Sequence, residues 1–174
     1  MKPILLCATL VATAATLSAQ ASPPETASAT IAGKTISIKY SAPSVRGRTI
    51  FGDGGLVMKD PHAPVWRAGA NAATALHTDG DLDIGGLSVP AGDYTLFVNV
   101  KDPNQWELIV SKQTGEWGLA YNAANDLGHT KMNMSKPPAL VEVLKYTITP
   151  TSGKKGKIEL AWENHLASVP VTVK

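Results

Sequence analysis

Residues 90–111 read PAGDYTLFVNVKDPNQWELIVS, and their pattern decides the fold. After the turn Pro90-Ala91-Gly92-Asp93, apolar side chains recur at every second position. Tyr94, Leu96, Val98 and Val100 point one way; Thr95, Phe97 and Asn99 point the other. Successive side chains of an extended chain lie on opposite faces, so a period of two predicts a strand. Asp102-Pro103-Asn104 turns the chain back. Trp106, Leu108 and Val110 then form a partner strand with Glu107 and Ser111 on its outer face.

The same pattern recurs outward from this pair. Toward the N-terminus, Ile36, Ile38 and Tyr40 alternate with Thr35, Ser37 and Lys39, and Pro43 ends that strand. Strand character resumes at Thr74, Leu76 and Thr78, and Asp79-Gly80 is a hairpin signal. Residues 81–84 and 87–89 are short strands around Gly85-Gly86. Toward the C-terminus, residues 140–148, 157–163 and 169–173 complete the set, with Ile158, Leu160 and Trp162 inward. Heptads, a long repeat and an amphipathic helix are all missing from the pattern. The expected fold is all-β: a single β-sandwich or jelly-roll-like domain of about seven to nine strands with two long loops. The second loop, residues 115–136, is expected to hold a short helix around 120–127.

The first twenty-one residues are read as processing signal rather than structure. Lys2 supplies a positive charge, residues 4–17 an apolar run, and Ala19-Gln20-Ala21 a small-x-small cleavage site. The run is shorter than the roughly twenty residues needed to span a bilayer. Cys7 follows the large Leu6 near the start of that run, which argues against lipid attachment. Three segments are expected: 1–21, a cleaved secretory signal; 22–29, a polar, Pro-rich flexible leader; and 30–174, the β-sandwich. The expected location is periplasmic or secreted. The single cysteine leaves with the signal, so disulfides and thiolate chemistry are excluded from what remains. A domain of about 150 residues buries roughly 68–70% of its unfolded surface, enough to stand without disulfides. The formal net charge of +2 provides no basic field for nucleic acid or an acidic membrane.

The most unusual composition lies in residues 41–74, SAPSVRGRTIFGDGGLVMKDPHAPVWRAGANAAT. All three arginines, Arg46, Arg48 and Arg67, fall here, and every other basic side chain apart from histidine is lysine. A guanidinium is a planar fork of donors suited to carboxylate or phosphate, whereas an ammonium is a point charge on a flexible stem. Connections this long inside a compact domain are often functional. Arg46, Arg48, Trp66, Arg67 and Asn71 are therefore the expected ligand-binding residues, for a small anionic or carbohydrate-like molecule. Alternatively, the arginines pair with Asp53, Asp60 or Asp126 and with loop carbonyls, pinning an irregular loop.

Other candidates are weaker. Asp79, Asp81 and Asp83 resemble the start of a calcium loop, but Ile84 and Pro90 occupy the places of its essential Gly and Glu, so turn chemistry explains them. His62, His77, His129 and His165 have no metal-binding spacing, and only His62 falls in the arginine stretch. No metal or cofactor is expected. Trp106 and Trp162 sit at inward strand positions and read as core. Trp66 and Trp117 sit in the long loops, where tryptophan either stacks on sugars or caps a sandwich.

The segments SAPSVRGRTIFG, VWRAGANAAT, VPAGDYTLFV and EWGLAYN together resemble a bacterial domain-of-unknown-function family, number 2911. Its motif positions correspond to Arg46, Gly47, Arg48, Gly52, Trp66, Arg67, Gly69, Asn71, Thr74, Gly92, Tyr94 and Trp117. The resemblance implies an exported, mostly β protein and brings no activity with it. Three functions fit the residues. The first is a binding module built on the arginine loop. The second is a cell-envelope hydrolase or isomerase, with His62 or an acid as base and arginines stabilising an oxyanion. The third is a structural or interaction protein in which the loop locks the sandwich.

Overall fold

The structure is a computed structural model that describes residues 22–115 and 117–174. The secretory signal expected at 1–21 lies outside the described residues. Among the described residues the chain is all-β, with thirteen strands in two antiparallel sheets and no helix of seven or more residues.

The first sheet is built from β1 (Pro24–Ile31), β2 (Lys34–Ser41), β3 (Val65–Trp66), β4 (Thr74–Thr78), β7 (Gly92–Asn99), β8 (Glu107–Ser111) and β9 (Asp126–Lys131). Its order is β1-β2-β4-β7-β8-β9, with β3 paired to the end of β7. The second contains β5 (Leu82–Ile84), β6 (Leu87–Val89), β10 (Asn133–Ser135), β11 (Val141–Pro150), β12 (Lys155–Glu163) and β13 (His165–Val173). Its order is β11-β12-β13-β5-β6, with β10 on β13. Ile36, Ile38, Leu96 and Val98 from the first sheet share one core with Ile158, Leu160, Val169 and Val171 from the second. The sheets therefore close face to face as a sandwich. Strand β1 also lies against β11 and β6 against β9, so the two sheets approach along both edges.

The alternation of β7 and β8 holds: Tyr94, Leu96, Val98, Trp106, Leu108 and Val110 are all buried in the core. The opposite face is more covered than alternation implies. Thr95, Phe97 and Ile109 are also buried. The second long loop folds over them, with the Tyr121 ring edge-on to Phe97 at 4.9 Å. A short 3-10 turn at Ala123–Asn125, its Ala124 N–H capped by the Asn122 side chain, stands where a helix was expected.

The expectations for three segments need correction. Residues 22–29 are no flexible leader: β1 pairs with β2 along its whole length and buries Ala27 and Ile31. Prolines at 23 and 24 fit there because β1 is an edge strand, where a missing N–H costs no ladder bond. Residues 115–136 contain strands β9 and β10, and with β1 and β3 these raise the count from the expected seven to nine up to thirteen. Asp79-Gly80 makes no hairpin, since β4 and β5 lie in different sheets. The Thr78 hydroxyl donates to the Gly80 carbonyl at 2.7 Å there, closing a tight corner between the layers. Gly85-Gly86 forms the hairpin instead, both residues at positive φ (56° and 91°), as a two-residue turn of the right twist requires.

The arginine stretch does connect two neighbouring strands, β2 and β4, by a long excursion. Within it lie β3 and a 3-10 turn at Val57–Lys59. Residues 48–51 form no strand. Thr49 and Ile50 instead offer their carbonyls to the N–H groups of Leu56 and Val57 at 3.0 Å.

Candidate functional site

The motif Arg46-Gly47-Arg48 builds a turn. Arg46 and Gly47 are consecutive left-handed residues, at φ 51° and 66°. The Arg46 N–H donates to Glu142 Oε1 at 2.8 Å. Arg48 folds back on its own chain, donating from Nε to the Val45 carbonyl at 3.0 Å and from Nη2 to the Ser44 carbonyl. The fork of Arg48 is thus used on backbone oxygens, which is the pinning role for that residue. Three residues on, Phe51 serves as an aromatic hub. Its centroid lies 5.7 Å from Trp66, 4.8 Å from Trp106, 5.9 Å from Trp162 and 4.6 Å from His165.

The segment Trp66-Arg67-Ala68-Gly69-Ala70-Asn71 is a buried corner. Trp66 is 3% exposed and stacks on Trp162 at 5.7 Å and 18°, so it is core and no open platform. Ala68 is left-handed at φ 50° and fully buried. Its carbonyl accepts from the Thr74 hydroxyl at 3.1 Å and from the Tyr146 hydroxyl at 3.2 Å. Burial raises the Tyr146 pKa far above the ordinary phenol range and keeps that donor protonated. Gly69 has no room for a side chain: a Cβ would stand 2.8 Å from Thr74 Oγ1. Asn71 is left-handed at φ 58°, a conformation asparagine tolerates well. Its carbonyl accepts from Arg67 Nη1 at 3.3 Å and from the Gly118 N–H at 3.2 Å, and its side chain donates to the Ser22 carbonyl at 3.4 Å. Gly118 is where the second long loop meets the first, because a Cβ there would strike the Arg67 stem at 2.4 Å.

The five expected binding residues are therefore not brought together. Arg46 and Arg48 line one cavity with Ser44 and Glu142, while Arg67 and Trp66 line another with Asp60 and Trp162. Asn71 lines neither. Of the acids considered as partners, Asp60 is the one that faces Arg67, with 3.8 Å between Nη2 and Oδ2. Asp126 accepts instead from Tyr121 and faces His129, each at 2.8 Å.

The Arg67 cavity has a volume of about 270 Å³. Three of its lining residues carry buried polar atoms without a hydrogen bond: Arg67 Nε, Trp162 Nε1 and Asp60 Oδ2. That is two donors and one acceptor. Asp60 Oδ1 is engaged by the His62 N–H at 3.0 Å, which fixes the carboxylate. The His62 ring donates from Nε2 to the Leu119 carbonyl at 2.8 Å, so the expected base is committed to a backbone oxygen. A larger cavity of about 670 Å³ lies beyond the Val57 turn, lined by Phe51, Trp106, Val100 and His165 among others. Val57 contributes to both. Asp60 was legible only as one acid among several, and Trp162 only as core. His165 sits in no motif.

The remaining histidines are paired with carboxylates. His77 bridges Asp93 at 2.8 Å and Asp79 at 3.0 Å, and these bonds raise its pKa, that to Asp93 most. Asp81 and Asp83 accept the N–H groups of Ala91 and Gly86, the turn chemistry expected of that run. Among the described residues no group of three or more His, Cys, Asp or Glu is placed to hold a metal ion.

Comparison with curated proteins and with solved structures found no match. Comparison with family models matched residues 22–171 to one described as "Protein of unknown function (DUF2911)". The chain belongs to the DUF2911 family.

Proposed function

We propose that this protein is a small-ligand binding module acting in the periplasm or outside the cell, with its site in the Arg67 cavity. The observation that carries the reading is that three residues lining one cavity, Arg67, Trp162 and Asp60, each hold a buried polar atom without a hydrogen bond: Nε, Nε1 and Oδ2. Buried polar groups are almost always satisfied, and each one left open costs about 1–3 kcal/mol. A ligand hydroxyl that reaches these atoms would both donate to Asp60 and accept from Arg67 or Trp162.

Asp60 favours one of the two ligand classes. A carboxylate 3.8 Å from the guanidinium cancels much of the field an anion needs. It also supplies an acceptor, which an anion cannot use. A neutral polyhydroxylated molecule fits better, and the volume of about 270 Å³ suits a single ring, below the roughly 300–1,000 Å³ of drug-sized pockets. Arg46 and Arg48 take no part. A thermal-shift screen of D-glucose, D-galactose, N-acetylglucosamine, sulfate and phosphate tests this. One of the sugars should raise the melting temperature by mass action, and Arg67→Leu should abolish the shift. A shift with sulfate or phosphate alone would assign an anion site instead.

A further inference from the structure

We infer that the larger cavity beyond the Val57 turn is a second, separate binding site, for a neutral aromatic molecule of one or two rings carrying a hydrogen-bond donor. The volume, about 670 Å³, lies within the range of small-molecule sites. Most of its wall is apolar: Val57, Met58, Pro64, Val100 and Pro103 surround the Phe51 and Trp106 rings. Met58 is 42% exposed, so an apolar side chain stands uncovered on this wall.

Three polar residues complete the lining: Asp53, Lys101 and His165. Asp53 and Lys101 are exposed and of opposite charge, which favours no ionic ligand. His165 is half-buried, its ring nearly parallel to Trp106 at 5.3 Å and 15°. Its Nδ1 lies 3.3 Å from Glu163 Oε2 but makes no aligned hydrogen bond. A carboxylate only accepts, so its field places the ring proton on Nδ1 and leaves Nε2 as an acceptor. The charged groups that act on this imidazole are Glu163 and Lys136, and Asp53 and Lys101 line the same cavity. Burial outweighs Glu163 and lowers the His165 pKa, so the ring is neutral near pH 7. A neutral acceptor among apolar walls selects an aromatic donor over an ion.

The test uses 1-naphthol, with 1-methoxynaphthalene as the probe that lacks the donor. Quenching of intrinsic tryptophan fluorescence at pH 7.5 reads both. Saturable binding of 1-naphthol is expected, weakened about three- to tenfold by His165→Phe, the loss of one hydrogen bond. The methoxy probe should bind the protein and His165→Phe within about twofold of each other. Pro103→Trp, on the exposed turn, should fill the cavity and reduce both probes to background without relying on a core change. Naphthol binding untouched by Pro103→Trp, or no saturable binding at all, would overturn the site. Equal naphthol affinity in the protein and His165→Phe would overturn the donor assignment. Arg67→Leu should leave naphthol binding unchanged, which separates this result from that of the smaller cavity.

Discussion

The Ala68 carbonyl offers a quantitative test of why the Trp66–Thr74 motif has its sequence. Ala68 is buried in the left-handed region, which costs an L-residue roughly 1–2 kcal/mol. Two hydroxyls offset that cost, Thr74 at 3.1 Å and Tyr146 at 3.2 Å, each worth about 0.5–1.5 kcal/mol net. Either one alone still satisfies the carbonyl. Thr74→Val and Tyr146→Phe should each therefore cost about 1 kcal/mol. Together they leave a buried carbonyl with no partner, a penalty of about 1–3 kcal/mol beyond the lost bonds. The double variant should exceed the sum of the singles by about 1 kcal/mol or more, well above the roughly 0.3–0.5 kcal/mol scatter of independent sites. Urea unfolding at constant m reads the cycle, and a Tm fall of about 2–4 °C per kcal/mol is expected for a chain of this size. Simple additivity, or a costless Tyr146→Phe, would refute the claim that this one carbonyl anchors the corner.

The other expectations concern packing and protonation. Gly69→Ala places a methyl 2.8 Å from Thr74 Oγ1 and 3.3 Å from the Ser41 carbonyl, and should cost about 1–3 kcal/mol in the same urea assay. His165 and His77 should tilt the pH dependence of stability in opposite senses. The His165 pKa is lowered, first by burial, so its contribution is present above the unfolded value near 6.5 and is lost as pH falls through the folded value. The His77 pKa is raised, first by Asp93 and then by Asp79, so its contribution is present below about 6.5 and is lost as pH rises through the folded value. Tm measured from pH 5 to 9 should show a shallower acid-side fall in His165→Phe, and a loss in His77→Gln that is larger at pH 6 than at pH 9. The His77 effect should be the smaller, because that ion pair is exposed.

How much of this was legible depended on whether the signal was local. Strands β7 and β8 were, because their period of two and their turns lie in adjacent residues. Strand β1 was not: the prolines and small polar residues of 22–29 suggest looseness, and only pairing with β2 makes them a strand. Strand β9 carries Gly128, His129 and Lys131 and shows no clear alternation until β8 gives it a register. In the arginine stretch, sequence proximity misled. A left-handed turn at Arg46-Gly47 and the excursion through residues 49–65 carry Arg46 and Arg48 to a different cavity from Arg67. Trp162 and His165 reach the two cavities from the end of β12 and the start of β13, a distance in sequence that no motif spans.

Calorimetric titration of D-glucose, D-galactose and N-acetylglucosamine into the protein and into Trp162→Phe tests the proposed Arg67 site most directly. That substitution removes the buried Nε1 donor and keeps an aromatic wall. Saturable binding of one sugar is expected, weakened about two- to tenfold in the variant by the loss of a single hydrogen bond. Equal affinity in the two proteins, or binding of none of the three, would contradict it.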